Sequence, residues 1–532
     1  MAGPSNSDIT GEAGRRRTFA IISHPDAGKT TLTEKFLLYG GAVQDAGQVK
    51  ARGERRRVRS DWMEMEQDRG ISITSTVMQF PYRDAVFNLL DTPGHRDFSE
   101  DTYRVLAAAD AAIMVLDASS GIEAQTLKLF EVTRERNIPL ITFINKWDRP
   151  GKEALELTDE IEETLRLATM PMCWPVGIAG DFRGLIDRRT GDYIRFTRSA
   201  RGATEAAEEV LAATEAEQID GDAYTDAVEQ IELLEAVGSD FDAELFEAAE
   251  ATPVFFGSAL TNYGVRLLLD AMVDLAPSPR PRPAVAGGER ALDDPFSGFV
   301  FKVQANMDPS HRDRIAFLRV CSGRFERGMV TTHQRTGKPF ATKYAHSVFG
   351  QDRETIDEAF PGDVIGLVNA TEVRVGDTLY VDDPVEFPGI PAFAPELFVV
   401  ARPRDIGRFK QFRKGIAQLD EEGVVQVLRD QHLGDQAPML AAVGQMQFEV
   451  AAARLDKEFG APAALSPTRY TIARRTDEET AAALSGMTGV QVVERSDGAL
   501  LALFESIYWL QRVEADNPEW VLEALVAEGM AG

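Results

Sequence analysis

The chain has 532 residues, and at roughly 150 residues per domain this length predicts three or four domains. Hydrophobic residues make up 44% and charged residues 27%, which excludes a disordered, collagen-like or fibrous chain. The formal charge is −28, but it is unevenly distributed and does not exclude an RNA partner, because local basic patches decide contact with RNA.

The chain shows no sign of a membrane span or of secretion. No apolar stretch approaches about 18 residues, and the polar N-terminus lacks the apolar core of a signal peptide. Two cysteines, Cys173 and Cys321, are too few for a disulfide framework and suit a reducing compartment. We therefore expect a cytoplasmic protein.

The first 280 residues contain short apolar runs separated by helical patterns, which is typical of the buried strands of a mostly parallel α/β sheet. A helix is predicted over Thr30–Tyr39, where Gly40 and Gly41 end the pattern. The predicted strands are Thr18–Ser23, Ile73–Phe80, Ala85–Leu90, Ala111–Leu116, Leu140–Ile144 and Thr252–Phe256.

From about Phe296 the pattern changes to β-branched runs with glycine turns, which predicts a small β-barrel or sandwich. The proline-rich stretch Pro277–Pro283 before it predicts a semi-rigid linker. A second break at Phe387–Pro395 opens a third region, in which helices are predicted over Arg408–Leu419 and Gln447–Phe459.

A phosphate-binding loop is predicted where the first strand meets the first helix, although Ser23 stands where the first glycine of such loops is usual. The backbone N–H groups and the helix N-terminus would hold phosphate oxygens, and Lys29 would reach the β- and γ-phosphates. The Thr30 hydroxyl would bind Mg²⁺. The loop consists of Ser23, His24, Pro25, Asp26, Ala27, Gly28, Lys29 and Thr30.

A second motif begins at Asp91, directly after the predicted strand Ala85–Leu90 and 62 residues after Lys29. The Asp91 carboxylate is placed to hold Mg²⁺ through its water shell, and Gly94 allows a backbone N–H to approach the γ-phosphate. Alone this motif indicates a turn, but its place after a phosphate loop favours a GTPase. It consists of Asp91, Thr92, Pro93, Gly94 and His95.

The guanine-binding motif is predicted at the end of the strand Leu140–Ile144. The Asp148 carboxylate would accept hydrogen bonds from the guanine N1–H and 2-amino groups, which adenine does not offer. Lys146 would lie along the base, and backbone N–H groups of a later loop would complete the pocket. The residues are Asn145, Lys146, Trp147 and Asp148, with Ser258, Ala259 and Leu260 in the later loop.

The long interval between the guanine-binding motif and the later loop that completes the base pocket predicts an inserted subdomain. Asn145 and Gly257 are 112 residues apart, whereas one β-α-β crossover needs only about 30 residues. We place the insertion at about residues 166–250. Residues 202–250 of it hold sixteen Asp and Glu and no Lys or Arg, which indicates either a solvated helical face or a surface for a basic protein.

In motif order and domain pattern the chain resembles the translational GTPases and, among them, the family of bacterial peptide chain release factor three, within the elongation-factor-G-like group. The resemblance implies an α/β P-loop GTPase domain at residues 1–285, a β-barrel domain at 290–388 and an α/β C-terminal domain at 392–532. The segments that carry it are Ile22–Thr31, Ser60–Glu66, Arg69–Thr74, Phe299–Pro309 and Phe393–Phe398.

The resemblance also implies a function in translation termination. Such a protein binds GTP or GDP with Mg²⁺ and hydrolyses GTP on the ribosome, where it promotes dissociation of class one, stop-codon-reading release factors after peptide release. Its implied partners are the large-subunit RNA, ribosomal proteins and class one release factors. It is expected to be a monomer and not to bind membranes.

Two residue roles come from the resemblance alone. Ser72 would bind Mg²⁺ beside Thr30 and Asp91, and His95 would be the catalytic residue that orients the attacking water. An imidazole suits that role through positioning and electrostatics. Two basic clusters, at residues 50–59 and 402–414, could contact RNA or form solvated or packed polar faces.

Two alternative functions remain open. The first is a translocation-like or ribosome-rescue GTPase of the same family, which the three-domain pattern disfavours because such factors carry further domains. The second is a nucleotide switch for ribosome assembly. His95 disfavours it, because pure switches often lack a catalytic residue at that position.

Overall fold

The computed structural model describes residues 6–42, 75–197, 207–305, 314–349, 352–368, 370–390, 394–430 and 436–525. Ser72, the basic cluster at 50–59 and the start of the acidic segment lie outside the described residues. The remaining predicted site residues lie within them.

The N-terminal part of the chain alternates strands and helices. Its helices are α1 (Asn6–Gly14), α2 (Lys29–Tyr39), α3 (Ser99–Leu106), α4 (Ala124–Glu135), α5 (Ala154–Leu165), α6 (Ala213–Ala236), α7 (Ala243–Glu247) and α8 (Val265–Leu275). Its strands are β1 (Arg16–Ser23), β2 (Thr76–Tyr82), β3 (Ala85–Asp91), β4 (Ala111–Asp117), β5 (Leu140–Asn145), β6 (Ala168–Pro171), β7 (Cys173–Val176), β8 (Gly184–Asp187), β9 (Tyr193–Thr197), β10 (Ala207–Leu211) and β11 (Ala251–Phe256).

The main sheet has the strand order β2-β3-β1-β4-β5-β11-β6. Its neighbours are parallel except for the β2–β3 pair at one edge. Within the described residues the sheet confirms the predicted strands and the α/β class, and the apolar runs are continuous because the strands are buried on both faces. β1 lies between β3 and β4, where the strand order reverses, so a ligand crevice is expected at the carboxyl ends of these strands.

Between β6 and β11 the chain forms a separate four-stranded antiparallel sheet, β10-β9-β8-β7, together with α6 and α7. β6 itself still belongs to the main sheet, parallel to β11, although it lies inside the predicted insertion. The Tyr193 hydroxyl donates a 2.7 Å hydrogen bond to the buried Asp220 carboxylate and thereby fastens α6 to the sheet.

The acidic segment is largely helical, and α6 presents a solvated face. Glu217, Asp222 and Asp226 are exposed, whereas Ala216 and Ala227 are buried in the core. This burial pattern agrees with the first of the two interpretations of the segment, a helix that packs on one side and carries charge on the other.

The middle part of the chain, for which a small β-barrel or sandwich was predicted, is β-rich. An eight-stranded antiparallel sheet has the order β18-β17-β23-β14-β15-β22-β19-β20, with small pairs β12–β13 and β16–β21 beside it. The strands are β12 (Arg282–Pro283), β13 (Glu289–Arg290), β14 (Ser297–Ala305), β15 (Arg314–Ser322), β16 (Phe325–Glu326), β17 (Val330–His333), β18 (Lys338–Ala341), β19 (Ala345–Phe349), β20 (Asp352–Thr355), β21 (Glu358–Ala359), β22 (Val364–Val368) and β23 (Thr378–Tyr380).

The C-terminal part is an α/β domain built on one antiparallel sheet, whose strand order β27-β24-β26-β25-β29-β30-β28-β31 does not follow the order of the strands in the chain. Its strands are β24 (Leu397–Pro403), β25 (Gln426–Arg429), β26 (Met439–Ala442), β27 (Ala463–Pro467), β28 (Ile472–Thr476), β29 (Val490–Arg495), β30 (Leu500–Phe504) and β31 (Glu523–Ala524). Its helices are α9 (Phe409–Glu421), α10 (Gln445–Lys457), α11 (Glu478–Leu484) and α12 (Ile507–Asp516), of which α9 and α10 confirm the two predicted helices.

The basic cluster at 402–414 spans the end of β24 and the start of α9. Phe412, Ile416 and Leu419 are buried beneath α9, so the helix packs as an amphipathic element. The cationic side chains point away from that core and are exposed at Arg402, Arg404, Arg408, Lys410 and Lys414. The cluster is therefore the outer face of a packed helix and its preceding strand.

Buried polar contacts join the first and second domains. The Nη2 atom of Arg319 in β15 lies 2.6 and 2.7 Å from the two carboxylate oxygens of Asp110, and its Nη1 atom donates to the carbonyl of Ala108. Arg16 of β1 pairs with the buried Asp363 at 3.1 Å. Because both cations are almost fully buried, these contacts stabilise one fixed arrangement of the two domains.

Both cysteines, Cys173 and Cys321, are buried and form no disulfide. Burial raises the pKa of the Cys173 thiol to about 12, and burial likewise raises the pKa of Cys321, so neither is a reactive thiolate. Among the described helices none is long and apolar enough to cross a bilayer.

Candidate active site

The candidate site lies at the carboxyl edge of the main sheet. Parallel strands β1, β3, β4, β5 and β11 all end there, so the loops that follow them converge on one crevice. The predicted phosphate loop follows β1, the predicted Asp91 motif follows β3, and the predicted guanine motif follows β5. The loop with Ser258 follows β11.

The phosphate loop turns tightly between β1 and α2. The Ala27 N–H donates to the His24 carbonyl at 3.2 Å, and Asp26 and Gly28 both have left-handed backbone conformations, with φ of 67° and 101°. Gly28 precedes α2, and a Cβ at that position would lie 2.2 Å from Nδ2 of Asn145. The loop therefore requires glycine at Gly28 both for its backbone and for its approach to Asn145.

His24 and Ser23 complete the loop. The His24 Nε2 atom lies 2.8 Å from Oε2 of Glu123, at the start of α4. The Ser23 hydroxyl and the His24 Nδ1 atom are buried and have no hydrogen-bond partner among the described residues. Buried polar atoms of this kind cost free energy unless a ligand or water satisfies them, so they point to an occupied state of the loop.

Lys29 and Asp91 meet beneath the phosphate loop. The Lys29 Nζ atom lies 2.6 Å from Oδ1 of Asp91, and both side chains are buried. The Thr92 hydroxyl donates a 2.5 Å hydrogen bond to the Ile21 carbonyl and so fixes the turn after β3 to β1. A Cβ at Gly94 would stand 3.7 Å from the Pro25 Cα, which shows that this turn lies against the phosphate loop.

Asn145 connects the phosphate loop with the base pocket. Its buried side-chain amide donates to the Ala27 carbonyl at 2.8 Å and accepts from the Ala259 N–H at 2.8 Å. One side chain thus holds together the loops after β1, β5 and β11. Ser258 and Ala259 are fully buried, whereas Leu260 is half exposed at the rim.

Lys146 is held by Asp117, a residue that the sequence analysis did not single out. The Lys146 Nζ atom lies 2.7 Å from Oδ2 of Asp117. Burial alone would raise the pKa of Asp117, but hydrogen bonds from Lys146 and Ser119 outweigh burial and lower that pKa, so the carboxylate stays charged. The available signal was its place at the end of β4, where it pairs in register with Asn145.

Of the last two residues of the motif, Trp147 packs in the core, whereas Asp148 has an oxygen without a hydrogen-bond partner among the described residues. The Trp147 ring is buried and lies edge-on to Phe256 with centroids 5.1 Å apart, so this residue of the motif packs in the core. The Asp148 Oδ1 atom is buried and has no hydrogen-bond partner among the described residues. A carboxylate oxygen in that state is an acceptor available to a ligand.

His95 follows the Asp91 turn at the start of a short 3-10 helix, Arg96–Phe98. Its side chain is 29% exposed, and its Nδ1 atom lies 3.4 Å from Oδ1 of Asp97 and 3.3 Å from the Asp97 backbone nitrogen. The ring lies edge-on to Phe98 with centroids 6.3 Å apart. The ring is thus restrained on its Nδ1 side and partly open to solvent.

Comparisons with known proteins agree with this architecture. Residues 14–278 match the elongation factor Tu GTP binding domain, residues 295–382 match elongation factor G domain 2, and residues 387–514 match the class II release factor RF3 C-terminal domain. A solved structure from Thermus thermophilus has a TM-score of 0.69 at 24% identity, over 87% of this chain and 69% of that one, and so shares the fold. The chain is a translational GTPase, an enzyme that hydrolyses GTP.

Three curated relatives are each 50% identical to the chain and are named peptide chain release factor 3. The protein of Microcystis aeruginosa matches over 97% of this chain and 96% of its own length, and that of Synechococcus elongatus over 96% and 93%. The Gloeobacter violaceus protein matches over 97% and 98%. The chain belongs to the peptide chain release factor 3 family, the GTPases of translation termination, which confirms the resemblance and disfavours the two alternative functions.

Replacing Gly28 by Ala is expected to weaken nucleotide binding strongly, because the new Cβ would overlap the Asn145 amide and the left-handed backbone would be strained. We expect GDP affinity to fall on the order of a hundredfold, since a displacement of about 1 Å has that scale of effect at an organised site. Titration with a fluorescent GDP analogue measures it.

Gly191→Ala is the matched control. Gly191 also has a left-handed backbone, with φ of 76°, but no heavy atom lies within 4 Å of the Cβ position. If both variants bind GDP equally well, contact between Gly28 and Asn145 does not hold the nucleotide pocket together.

Proposed function

We propose that the crevice binds GTP and GDP, with the loop Ser23–Thr30 around the phosphates and the loops after β5 and β11 around the guanine. The observation that carries this proposal is the bridging role of Asn145, which ties the phosphate loop to the loop with Ala259. A polar side chain buried between two loops in this way organises one pocket from separate segments of the chain.

Phosphate recognition rests on N–H groups and one ammonium group. The N-terminus of α2 provides N–H donors and the positive end of the helix dipole. Lys29 is held by Asp91 in the crevice, and its remaining donors would bind the β- and γ-phosphates when nucleotide is present. The unpartnered Ser23 hydroxyl would gain a phosphate oxygen or a bound water.

Mg²⁺ would be held by Thr30, Asp91 and Ser72 together with phosphate oxygens. Hydroxyl and carboxylate oxygens are the donors that Mg²⁺ prefers, and Mg²⁺ sites of NTPases use few protein ligands beside the phosphates. No group of three or more His, Cys, Asp or Glu in the described part of the chain could hold a metal alone, which fits a site completed by the nucleotide. The ion would neutralise charge on the phosphates.

Guanine recognition rests on Asp148. Its buried Oδ1 atom would accept from the base N1–H or 2-amino group, and Lys146, held by Asp117, would cover one face of the base. Adenine offers neither donor and would leave the buried carboxylate unpaired, which costs more than the loss of one hydrogen bond.

His95 would orient the attacking water toward the γ-phosphate, acting by position and by electrostatic stabilisation. Its ring is partly exposed, and its Nδ1 atom faces Asp97. Ribosomal RNA would complete the arrangement, because phosphoryl transfer depends almost entirely on positioning and charge.

The partners we propose are the ribosome and class one release factors, in the cytoplasm. The exposed cations of the cluster 402–414 support contact with RNA phosphates in a chain whose net charge is otherwise strongly negative. The protein would promote dissociation of a class one factor after the peptide is released.

The test of the enzymatic part is phosphate release from GTP at increasing concentrations of bacterial ribosomes. We expect a rate that rises and saturates with ribosome concentration, and a rise that high salt weakens because phosphate contacts are screened. A rate that is independent of ribosomes would overturn the proposal.

A further inference from the structure

We propose that Asp97 is a positioning residue through which the C-terminal domain sets the orientation of His95. The proposal rests on the proposed role of His95 in hydrolysis. It concerns a side chain that is not among the predicted site residues and that joins the His95 turn to the N-terminus of α10.

Asp97 is shared between two domains. Its Oδ2 atom accepts a 2.7 Å hydrogen bond from the Met446 N–H in the first turn of α10, and its Oδ1 atom lies 3.4 Å from Nδ1 of His95. The side chain is buried. A carboxylate at a helix N-terminus is stabilised both by the free N–H group and by the helix dipole, so this contact is a strong one.

The fit around Asp97 leaves no spare room. A Cβ at Gly444, directly before α10, would lie 1.9 Å from the Asp97 carboxyl carbon. Gly444 has an extended backbone, with φ of −141°, so it is the close approach and not the backbone conformation that requires glycine there. Gln447 accepts from the Gly444 N–H at 3.1 Å and fixes that turn of the chain.

Contacts around Asp97 dock the whole His95 segment on the C-terminal domain. Phe98 packs against Val450 of α10, and Arg104 of α3 donates to the Glu422 carbonyl at 3.2 Å. Glu422 is in turn paired with the buried Arg454 of α10 at 2.8 Å. The segment from Asp97 to Arg104 therefore moves with α10 rather than independently of it.

The contacts of Asp97 with Nδ1 of His95 explain how docking of the C-terminal domain fixes the direction of Nε2, on the opposite side of the ring. The Asp97 N–H donates to Nδ1 at 3.3 Å in a neutral imidazole, whose proton is then on Nε2. When the imidazole is charged, Nδ1 carries a proton that faces the Asp97 carboxylate instead. Asp97 thus holds the ring by its backbone or by its side chain, and Nε2 stays directed away from it.

A displacement of the C-terminal domain would consequently turn His95. The Met446 bond holds the carboxylate, the carboxylate and backbone of Asp97 hold Nδ1, and Nδ1 fixes where Nε2 points. A ribosome that moves the C-terminal domain relative to the GTPase domain would therefore change the rate of hydrolysis without contacting the nucleotide.

The first test is Gly444→Ala, which leaves His95 and Asp97 unchanged in sequence. The added methyl group displaces Asp97 from α10, so kcat for ribosome-stimulated GTP hydrolysis should fall on the order of tenfold to a hundredfold. GDP affinity and the KM for ribosomes should not change. Gly389→Ala is the matched control, because Gly389 is exposed and no heavy atom lies within 4 Å of its Cβ position.

The second test reads the His95 ring itself. The chain has six histidines, so a protein labelled with ¹³C-histidine gives few ring signals, and His95→Ala identifies the one from His95. The signal should shift in Gly444→Ala and in Asp97→Ala, and Asp97→Asn should restore part of kcat, because the amide oxygen still accepts from the Met446 N–H.

The outcomes separate this inference from the proposed function. An unmoved His95 signal together with an unchanged kcat in Gly444→Ala would overturn the role of Asp97, whatever His95 does. A loss of thermal stability with unchanged kcat and an unmoved signal would show a merely structural contact. If His95→Ala hydrolyses GTP on ribosomes at the normal rate, the proposed role of His95 fails, and this inference fails with it.

Discussion

Substitution of His95 by Ala is expected to remove the ribosome-stimulated component of GTP hydrolysis, with kcat falling on the order of a thousandfold, the scale typical of losing a group that acts on the attacking water. Nucleotide binding should be nearly intact. The described contacts that organise the pocket, Lys29 with Asp91 and Asn145 with Ala27 and Ala259, do not involve the imidazole.

Single-turnover hydrolysis on saturating ribosomes measures the effect, with GDP titration as the check on binding. His95→Gln is the informative companion variant, because glutamine keeps a hydrogen-bonding group that can orient water and should retain part of the rate. Equal loss of GDP affinity and hydrolysis in His95→Ala would mean that this residue supports the nucleotide pocket and not the chemical step.

Asp148→Asn is expected to change the preferred base from guanine to xanthine. The buried carboxylate oxygen accepts from N1–H or the 2-amino group, whereas the asparagine amide offers a donor that suits the 2-oxygen of xanthine. Affinity for GDP should fall on the order of a hundredfold or more, because a buried group of the wrong polarity is left unpaired.

Competition of GDP and xanthosine diphosphate against a fluorescent nucleotide measures this preference. Asp159→Asn is the matched control, since Asp159 is exposed on α5 and the same change of charge there should leave the preference unaltered. An unchanged preference in Asp148→Asn would remove this residue from base recognition.

Much of the fold and of the nucleotide pocket was predictable, because short sequence patterns indicate both the buried strands and the loops that follow them. Apolar runs with both faces covered gave the strands β1, β4 and β5, and the loops after them carry residues whose chemistry is recognisable at short range. Trp147 was predicted only as a member of the guanine-binding motif, and its packing against Phe256 of β11 depends on contacts that the local sequence does not show.

The contacts that sequence reasoning missed join residues far apart in the chain. Asp97 and Met446 are 349 positions apart, and neither belongs to a recognisable motif that would pair them. The role of Asp117 was easier to predict, because this residue ends β4 as Asn145 ends β5. Its ion pair with Lys146 nevertheless depends on the register of these two strands. Register and domain docking come from packing across the whole molecule, which local periodicity does not encode.

In the acidic segment, too, composition predicted the exposed residues but not the buried one. Its charge run suggested a solvated surface, and the exposed side of α6 agrees, yet Asp220 is buried and bonded to Tyr193. Composition identifies which residues tend to be solvated, whereas the one buried carboxylate of a charged helix depends on the partner that satisfies it.

Dissociation of a labelled class one release factor from ribosomes that have already released their peptide tests the proposed role in termination directly. With this protein and GTP added, we expect faster dissociation that depends on the concentration of the protein, and little acceleration with Gly28→Ala. Ribosome-stimulated GTP hydrolysis without any acceleration of release factor dissociation would contradict the proposed role in termination.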